Sequence, residues 1–382
     1  MKNTFFFALL LLSFLGCKKE LIAPADLSNN LQETELDKTV DAIVQKHRNQ
    51  LNTVGMTVGI WKDGNSYIYG YGETQKGGGQ IPDAHTFFEI GSITKTFTAT
   101  ATVQWLNEKG LSLDSPIHPF LPSNVPVLSK DGAEVTFKQL MNHSSGLAYF
   151  PSNLNLLFNI SKSLANYSEA KLFDYLEKGK LNAKPGTTFE YSNTAVGLQG
   201  TILARENKKT YGAYIQEKVC DPLGLYETKV VLSADEKLRL SKGYKGGKEV
   251  NYWESLGALD GAGVLRSTTS DLLKYGQAVI NPPNNALGKA MRTCQEPTFK
   301  DAKNLGDYDE VCLGWFNIKP GDGSGSLLFH NGGTGGFNTN LFVDKTRKVV
   351  LTVCFNSINE GAKEEDAART ALNNELLLLL RK

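Results

Sequence analysis

Glu89-Ile-Gly-Ser-Ile-Thr-Lys-Thr-Phe-Thr98 is the stretch whose reading decides the fold. Ser92 and Lys95 are three residues apart, so on a helix they share a face and the amine reaches the hydroxyl. The run Thr94 to Lys109 predicts that helix, because Phe97, Ala101, Trp105 and Leu106 recur near its period. Gly110 is its stop signal. Ser92 then stands at the helix start, where free N–H groups and the positive dipole end favour developing negative charge. Serine is a weak nucleophile until a base takes its proton, and an adjacent amine is such a base. The spacing alone is common. Ser168 to Lys171 repeats it in a polar helical stretch and reads as a solvated face.

Downstream, in fixed order, come Tyr191-Ser192-Asn193 and His330-Asn-Gly-Gly-Thr-Gly-Gly-Phe337. Together the three motifs supply the parts of acyl transfer. Ser92 is the expected acylated nucleophile, and the base is Lys95 or Tyr191. A free lysine titrates at about 10.4, so a neutral base at pH 7 costs about 4 kcal/mol of depression. Alternatively Lys95 stays charged and holds Tyr191 as a phenolate. Asn193 offers an amide to orient the acyl group. Gly332 and Gly333 let a strand edge pass close to a substrate without a β-carbon clash. The N–H groups of Ser92 and Gly333 form the expected oxyanion hole, about 3 to 4 kcal/mol per donor. His330 is expected to contact a substrate carboxylate. With its ordinary value of about 6.5, it should do so more strongly as pH falls toward 6.

These motifs make the chain similar to the serine beta-lactamase-like family. That family includes class C beta-lactamases, D-Ala-D-Ala carboxypeptidases, D-aminopeptidases and related esterases. Leu140-Met-Asn-His-Ser-Ser-Gly-Leu147, Lys184-Pro-Gly-Thr-Thr-Phe-Glu-Tyr-Ser-Asn193 and Gly261-Ala-Gly-Val-Leu-Arg-Ser-Thr-Thr-Ser-Asp271 also resemble it. The resemblance covers about residues 40 to 380. It implies an active site at the junction of a sheet and a helical part, with no cofactor. Lactamases of the family usually carry lysine where this chain has His330, which instead resembles the carboxypeptidase and D-aminopeptidase branches. Three functions follow: a peptidase of D-Ala-D-Ala type that binds penicillin, an esterase or class C-type lactamase on small acyl compounds, or a non-catalytic sensor. Intact Ser92, Lys95, Tyr191 and Asn193 weigh against the third.

The coarse pattern points to the same α/β (α+β) class. Leu36 to Leu51 reads as an amphipathic helix, and Met56 to Lys62 and Ser66 to Gly72 as strands around Asp63-Gly64-Asn65. Ser326 to His330, Thr339 to Val343 and Val349 to Phe355 read as a meander, and residues 361 to 382 as an apolar helix. Strands at both chain ends imply one antiparallel sheet built from both. The terminal helices should cover one face and the Ser92 helix the other. The sheet part is expected at about 37–111 and 259–382, with a mostly helical part inserted at about 112–258. Gly72 to Gln80 reads as a mobile loop. Asn142-His143-Ser144-Ser145-Gly146 reads as a helix end and turn rather than a Ser-His pair, and Gly321 to Gly325 as a turn. No Gly-x-Ser-x-Gly elbow is present, which argues against an ordinary α/β-hydrolase.

Lys plus Arg number 41 and Asp plus Glu 40, so no net field draws the chain to nucleic acid. The expected partner is a small-molecule or peptide substrate. Residues 1–16 read as an export signal, with Lys2 before the apolar run Phe5 to Leu15. Gly16-Cys17 resembles a lipobox, so Cys17 is the expected lipid anchor and residues 17–36 a tether. A plain secretory signal or an uncleaved anchor are the alternatives. The expected location is the bacterial envelope, with membrane contact through the lipid only. Of the other cysteines, Cys354 reads as a free core thiol, and Cys294 with Cys312 as a candidate disulfide. The scattered histidines and cysteines argue against a metal site.

Overall fold

The two ends of the chain meet in one seven-stranded antiparallel sheet in this computed structural model. The structure describes residues 27–155, 159–300, 305, 308–319, 325–358 and 362–381. Cys17, the export signal and residues 321–324 therefore lie outside the described residues. Strands β1 (Gly55–Lys62) and β2 (Asn65–Gly72) come from the N-terminal side. From the C-terminal side come β3 (Glu310–Val311), β4 (Phe316–Ile318), β5 (Leu327–Gly333), β6 (Asn338–Asp344) and β7 (Val349–Phe355). Their order is β2-β1-β7-β6-β5-β4-β3, so β1 and β7 join the two ends, with Met56 opposite Phe355 and Trp61 opposite Val350. Asp63 and Gly64 form the β1–β2 turn with φ of 52° and 83°, the left-handed pair a two-residue hairpin requires. The strand through His330 continues to Gly333, because Gly332 and Gly333 keep pairing with Thr339 and Asn338.

The helices that frame the site are α1 (Glu35–Leu51), α2 (Thr94–Lys109), α3 (Asn193–Asn207), α4 (Thr269–Ile280) and α5 (Lys363–Leu380). On one face of the sheet α1 and α5 pack together, and Val40, Val44, Leu372 and Leu376 share a core with Val58, Ile60 and Leu351. Thr34 and Asp37 form a reciprocal cap at the start of α1, an arrangement that contributes about 1 kcal/mol.

The opposite face is covered by α4, not directly by the Ser92 helix. Gly59 and Gly276 make this close approach possible. A β-carbon on Gly59 would lie 2.4 Å from Thr269 Cγ2, and one on Gly276 2.4 Å from Val350 Cγ1. The Thr57 and Thr269 hydroxyls meet at 2.6 Å in the same seam. Helix α2 lies against α4, with Phe97 stacked on Tyr275 at 4.1 Å between centroids. Every residue from Thr94 to Val103 is buried, although the stretch is rich in threonine. Its hydroxyls solve this locally: Thr98, Thr100 and Thr102 donate to the carbonyls of Thr94, Thr96 and Thr98. An amphipathic reading of α2 thus misses its buried polar face.

Residues 112–258 carry α3, several short helices and the strands Gly243–Lys245 and Lys248–Val250, which continue in Ser357–Ile358. The Gly72 to Gln80 loop is not left loose. The Glu73 carboxylate accepts the N–H groups of Gly77 and Gly79, both at 2.8 Å. Cys220, Cys294, Cys312 and Cys354 are all free and buried, so the considered Cys294–Cys312 disulfide is not formed. Cys312 Sγ instead donates to the Gln295 carbonyl at 3.3 Å. Among the described residues, no helix is long and apolar enough to cross a membrane.

Candidate active site

Ser92 sits in a single 3-10 turn, Gly91–Ile93, that runs straight into α2. One turn on, Lys95 is fully buried, and its Nζ donates to Ser92 Oγ at 3.0 Å. Two further acceptors hold the amine: Asn193 Oδ1 at 2.8 Å and the Ala262 carbonyl at 2.6 Å. Asn193 opens α3, whose start is fixed by the Ser192 side chain capping Ala195 N–H. Ala262 closes the short helix Gly257–Ala262.

Burial pushes Lys95 well below its ordinary range, and no carboxylate opposes this among the described residues. In the neutral amine, Asn193 Oδ1 and the Ala262 carbonyl, which can only accept, take the two N–H bonds. The lone pair then faces Ser92 Oγ, and the Lys95–Ser92 hydrogen bond reverses so that the hydroxyl donates. Tyr191 completes the group. Its ring lies 4.9 Å from Lys95 Nζ, and it lines the same cleft as Ser92. Burial raises the Tyr191 phenol, with the Ser92 hydrogen bond opposing the rise.

Strand β5 forms the adjoining edge. A β-carbon on Gly91 would lie 2.8 Å from both Gly333 N and Gly333 O, so turn and strand pack backbone to backbone. Gly91 has φ of 46°, which also favours glycine. The resulting cleft, about 420 Å³, is lined on its polar side by Ser92, Tyr191, Asn193, Asn331, Gly333 and Thr334. Tyr149, Phe150, Ile160, Trp253, Leu256 and Ile358 form its apolar wall. A larger groove of about 800 Å³, beside Arg205 and Lys209, contains none of the motif residues.

His330 departs from expectation. It is only 1% exposed, its ring lies 6.5 Å from the Tyr191 ring, and Asn331 and Gly333 are the residues of its strand that line the cleft. Its Nδ1 lies 2.6 Å from the Asn331 carbonyl, which can only accept, so the ring proton is assigned to Nδ1. Burial, aided by Lys95, pushes its pKa down to about 3. The ring therefore stays neutral near pH 6, and the expected gain in carboxylate binding toward that pH has no titrating group behind it.

His143 was legible only as a turn residue. Ser144 Oγ donates to Asn142 Oδ1, so no Ser-His pair forms there. Yet the His143 ring stacks on Tyr191 at 4.4 Å and 28°, and its Nδ1 accepts Ser192 N–H at 3.2 Å. Burial depresses His143 strongly, with Lys95 and His330 adding to the effect. The signal available in sequence was its place inside the family-like stretch Leu140 to Leu147. Ala262 contributes a main-chain oxygen, for which no side-chain signal exists. No group of three or more metal-ligating side chains occurs among the described residues.

A serine on a helix start, a buried lysine on its hydroxyl and a glycine strand edge, set between a sheet and a helical layer, define a serine hydrolase of beta-lactamase type. Comparison with known proteins agrees: residues 40–375 match the Beta-lactamase family, and the chain belongs to it. The D-alanyl-D-alanine-carboxypeptidase/endopeptidase AmpH of Escherichia coli K12 is 28% identical over 286 residues, covering 72% of this chain and 73% of that protein. A beta-lactamase of Pseudomonas fluorescens is 29% identical over 251 residues, 65% of this chain and 66% of its own. The beta-lactamase/D-alanine carboxypeptidase of Yersinia pestis superposes with a TM-score of 0.76 at 22% identity, over 90% of this chain and 99% of that one. That likeness establishes the antiparallel sheet and flanking helices as the beta-lactamase fold.

Proposed function

We propose that this hydrolase acylates Ser92 and acts as a peptidase of D-Ala-D-Ala carboxypeptidase type in the cell envelope, binding penicillins at the same serine. The observation that carries the reading is the Lys95 amine, buried without a counter-charge among the described residues and turned onto Ser92 Oγ. Ser92 Oγ attacks the carbonyl carbon while its proton passes to Lys95 Nζ. The oxyanion forms against the N–H groups of Ser92 and Gly333. Tyr191, whose raised pKa keeps it a phenol, relays the proton to the leaving amine. Water then attacks the acyl-enzyme, and Ser92 regains its proton. Asn193 has its oxygen engaged by Lys95, which leaves its amide nitrogen to meet the acyl group. Lys95 is favoured over Tyr191 as the base, because burial makes the neutral amine easier to form and the phenolate harder.

Export with a lipid on Cys17 belongs to the same proposal, supported by Gly16-Cys17 after the apolar run. A second reading, an esterase on small acyl compounds, draws on the apolar wall of Tyr149, Phe150, Trp253 and Leu256. Product analysis separates the two. The protein is given a D-Ala-D-Ala-terminated peptide and, separately, a short aryl ester. Release of terminal D-alanine supports the peptidase. Ester turnover with no D-alanine release rejects it in favour of the esterase.

A further inference from the structure

We propose that His143 is a positioning residue for acyl transfer, one that grips Tyr191 from both neighbouring peptides and from its ring face. This inference rests on reading Ser92 as the acylated serine. The Glu190 N–H donates to the His143 carbonyl at 2.8 Å, and the Ser192 N–H donates to His143 Nδ1 at 3.2 Å. Tyr191 lies between these two donors, and the imidazole stacks on its ring. A single residue thus fixes the backbone on each side of Tyr191 and the plane of the phenol that faces Ser92.

The backbone of His143 carries an independent sign. Its φ is 60°, a left-handed conformation that L residues adopt against a steric cost. A turn that served only to end the preceding helix, Phe137–Met141, would be easier with glycine, as at Gly110 with φ of 69°. Histidine at such a position is explained by its ring. Phenylalanine could stack equally well but could not accept Ser192 N–H. The accepted hydrogen bond assigns the imidazole proton to Nε2, and that atom has no hydrogen-bond partner among the described residues. A neutral ring in this tautomer can hold the Tyr191 segment without adding a cation beside Lys95.

Two variants test this. Asparagine enters the left-handed region readily, and its Oδ1 can accept Ser192 N–H, but it lacks the ring. Glycine relieves the backbone and removes both contacts. Single-turnover acylation of Ser92 by a chromogenic beta-lactam gives the rate constant and the substrate Kd, and a thermal melt reports folding. H143G should slow acylation by about a hundredfold with Kd within about twofold, the scale of an ångström of misplacement. H143N should recover part of that loss, to within about tenfold of the native rate. Native rates in both variants overturn the proposal, as do losses that match the unfolded fraction at the assay temperature. If H143G does not fold, the asparagine variant decides alone by the same criteria. Ser92→Ala is the control for the underlying reading: if it still turns over, that reading fails, whatever the His143 variants do.

Discussion

Gly332 passes so close to Ile90 that a β-carbon on the glycine would sit 1.9 Å from the Ile90 carbonyl oxygen and 3.0 Å from Ser92 N. Strand β5 and the serine turn are therefore in register only while this position has no side chain. Gly332→Ala must push the strand away from the turn, and the donor at Gly333 moves with it. The expected result is a fall in kcat of about a hundredfold or more, the scale of losing one oxyanion donor. Stability should drop by about 1 to 3 kcal/mol from overpacking. Steady-state kinetics with a urea unfolding curve checks both. Native kcat in the alanine variant contradicts this arrangement.

His330 should not act as a pH switch near neutrality. Its pKa is pushed down to about 3, so the ring is neutral throughout the range of pH 5 to 8. Two substrates that differ only in a terminal carboxylate or amide share the same base. The ratio of their kcat/KM values should therefore stay flat over that range. A ratio that climbs as pH falls toward 6 would show that His330 gains a proton and meets the carboxylate.

The same burial affects stability. His143 and His330 are both depressed in the folded protein, while an unfolded histidine titrates at about 6.5. Below that pH the unfolded chain binds protons that the folded one refuses. Their contribution to stability is thus complete above about pH 6.5 and is lost as pH falls; for His330 the loss runs toward about pH 3, at about 1.4 kcal/mol per pH unit. Urea midpoints between pH 6.5 and 4.5 should show this slope, and His330→Gln should reduce it by about one proton's worth. An unchanged slope in the variant argues that His330 charges in the native state.

Much of this site was legible in one dimension, because its chemistry is written in local spacing. Ser92 and Lys95 are joined by one helical turn, and Tyr191 and Asn193 by a helix start. The sheet was legible from short apolar runs bounded by turn residues at both ends. What escaped depends on tertiary packing. Helix α4 reaches its face of the sheet through Gly59 and Gly276, and contact between two distant glycines leaves no periodic mark. The threonines of α2 look like a solvent face but bond back to their own helix. His330 was placed on the correct strand and beside Tyr191, with ring centroids 6.5 Å apart, yet its burial to 1% exposure depends on tertiary packing that spacing does not show. Short strands such as β3 and β4 carry too few residues for a pattern.

Cys17 gives a prediction about location that is independent of the catalytic one. Cys17→Ser should leave the protein without lipid and move it from the membrane fraction to the soluble fraction, with activity per molecule unchanged. Fractionation with mass analysis of the N-terminal peptide checks it. An unmodified Cys17 in mature native protein would remove the lipid anchor and leave the hydrolase intact.

Acylation of Ser92 is directly visible by intact-protein mass spectrometry after exposure to a beta-lactam. One adduct of the lactam's mass is expected, mapped to the peptide containing Ser92. Ser92→Ala should give no adduct, with an unchanged melting temperature. An adduct of the same size on the alanine variant, or turnover by that variant at the native rate, would show that Ser92 is not the nucleophile.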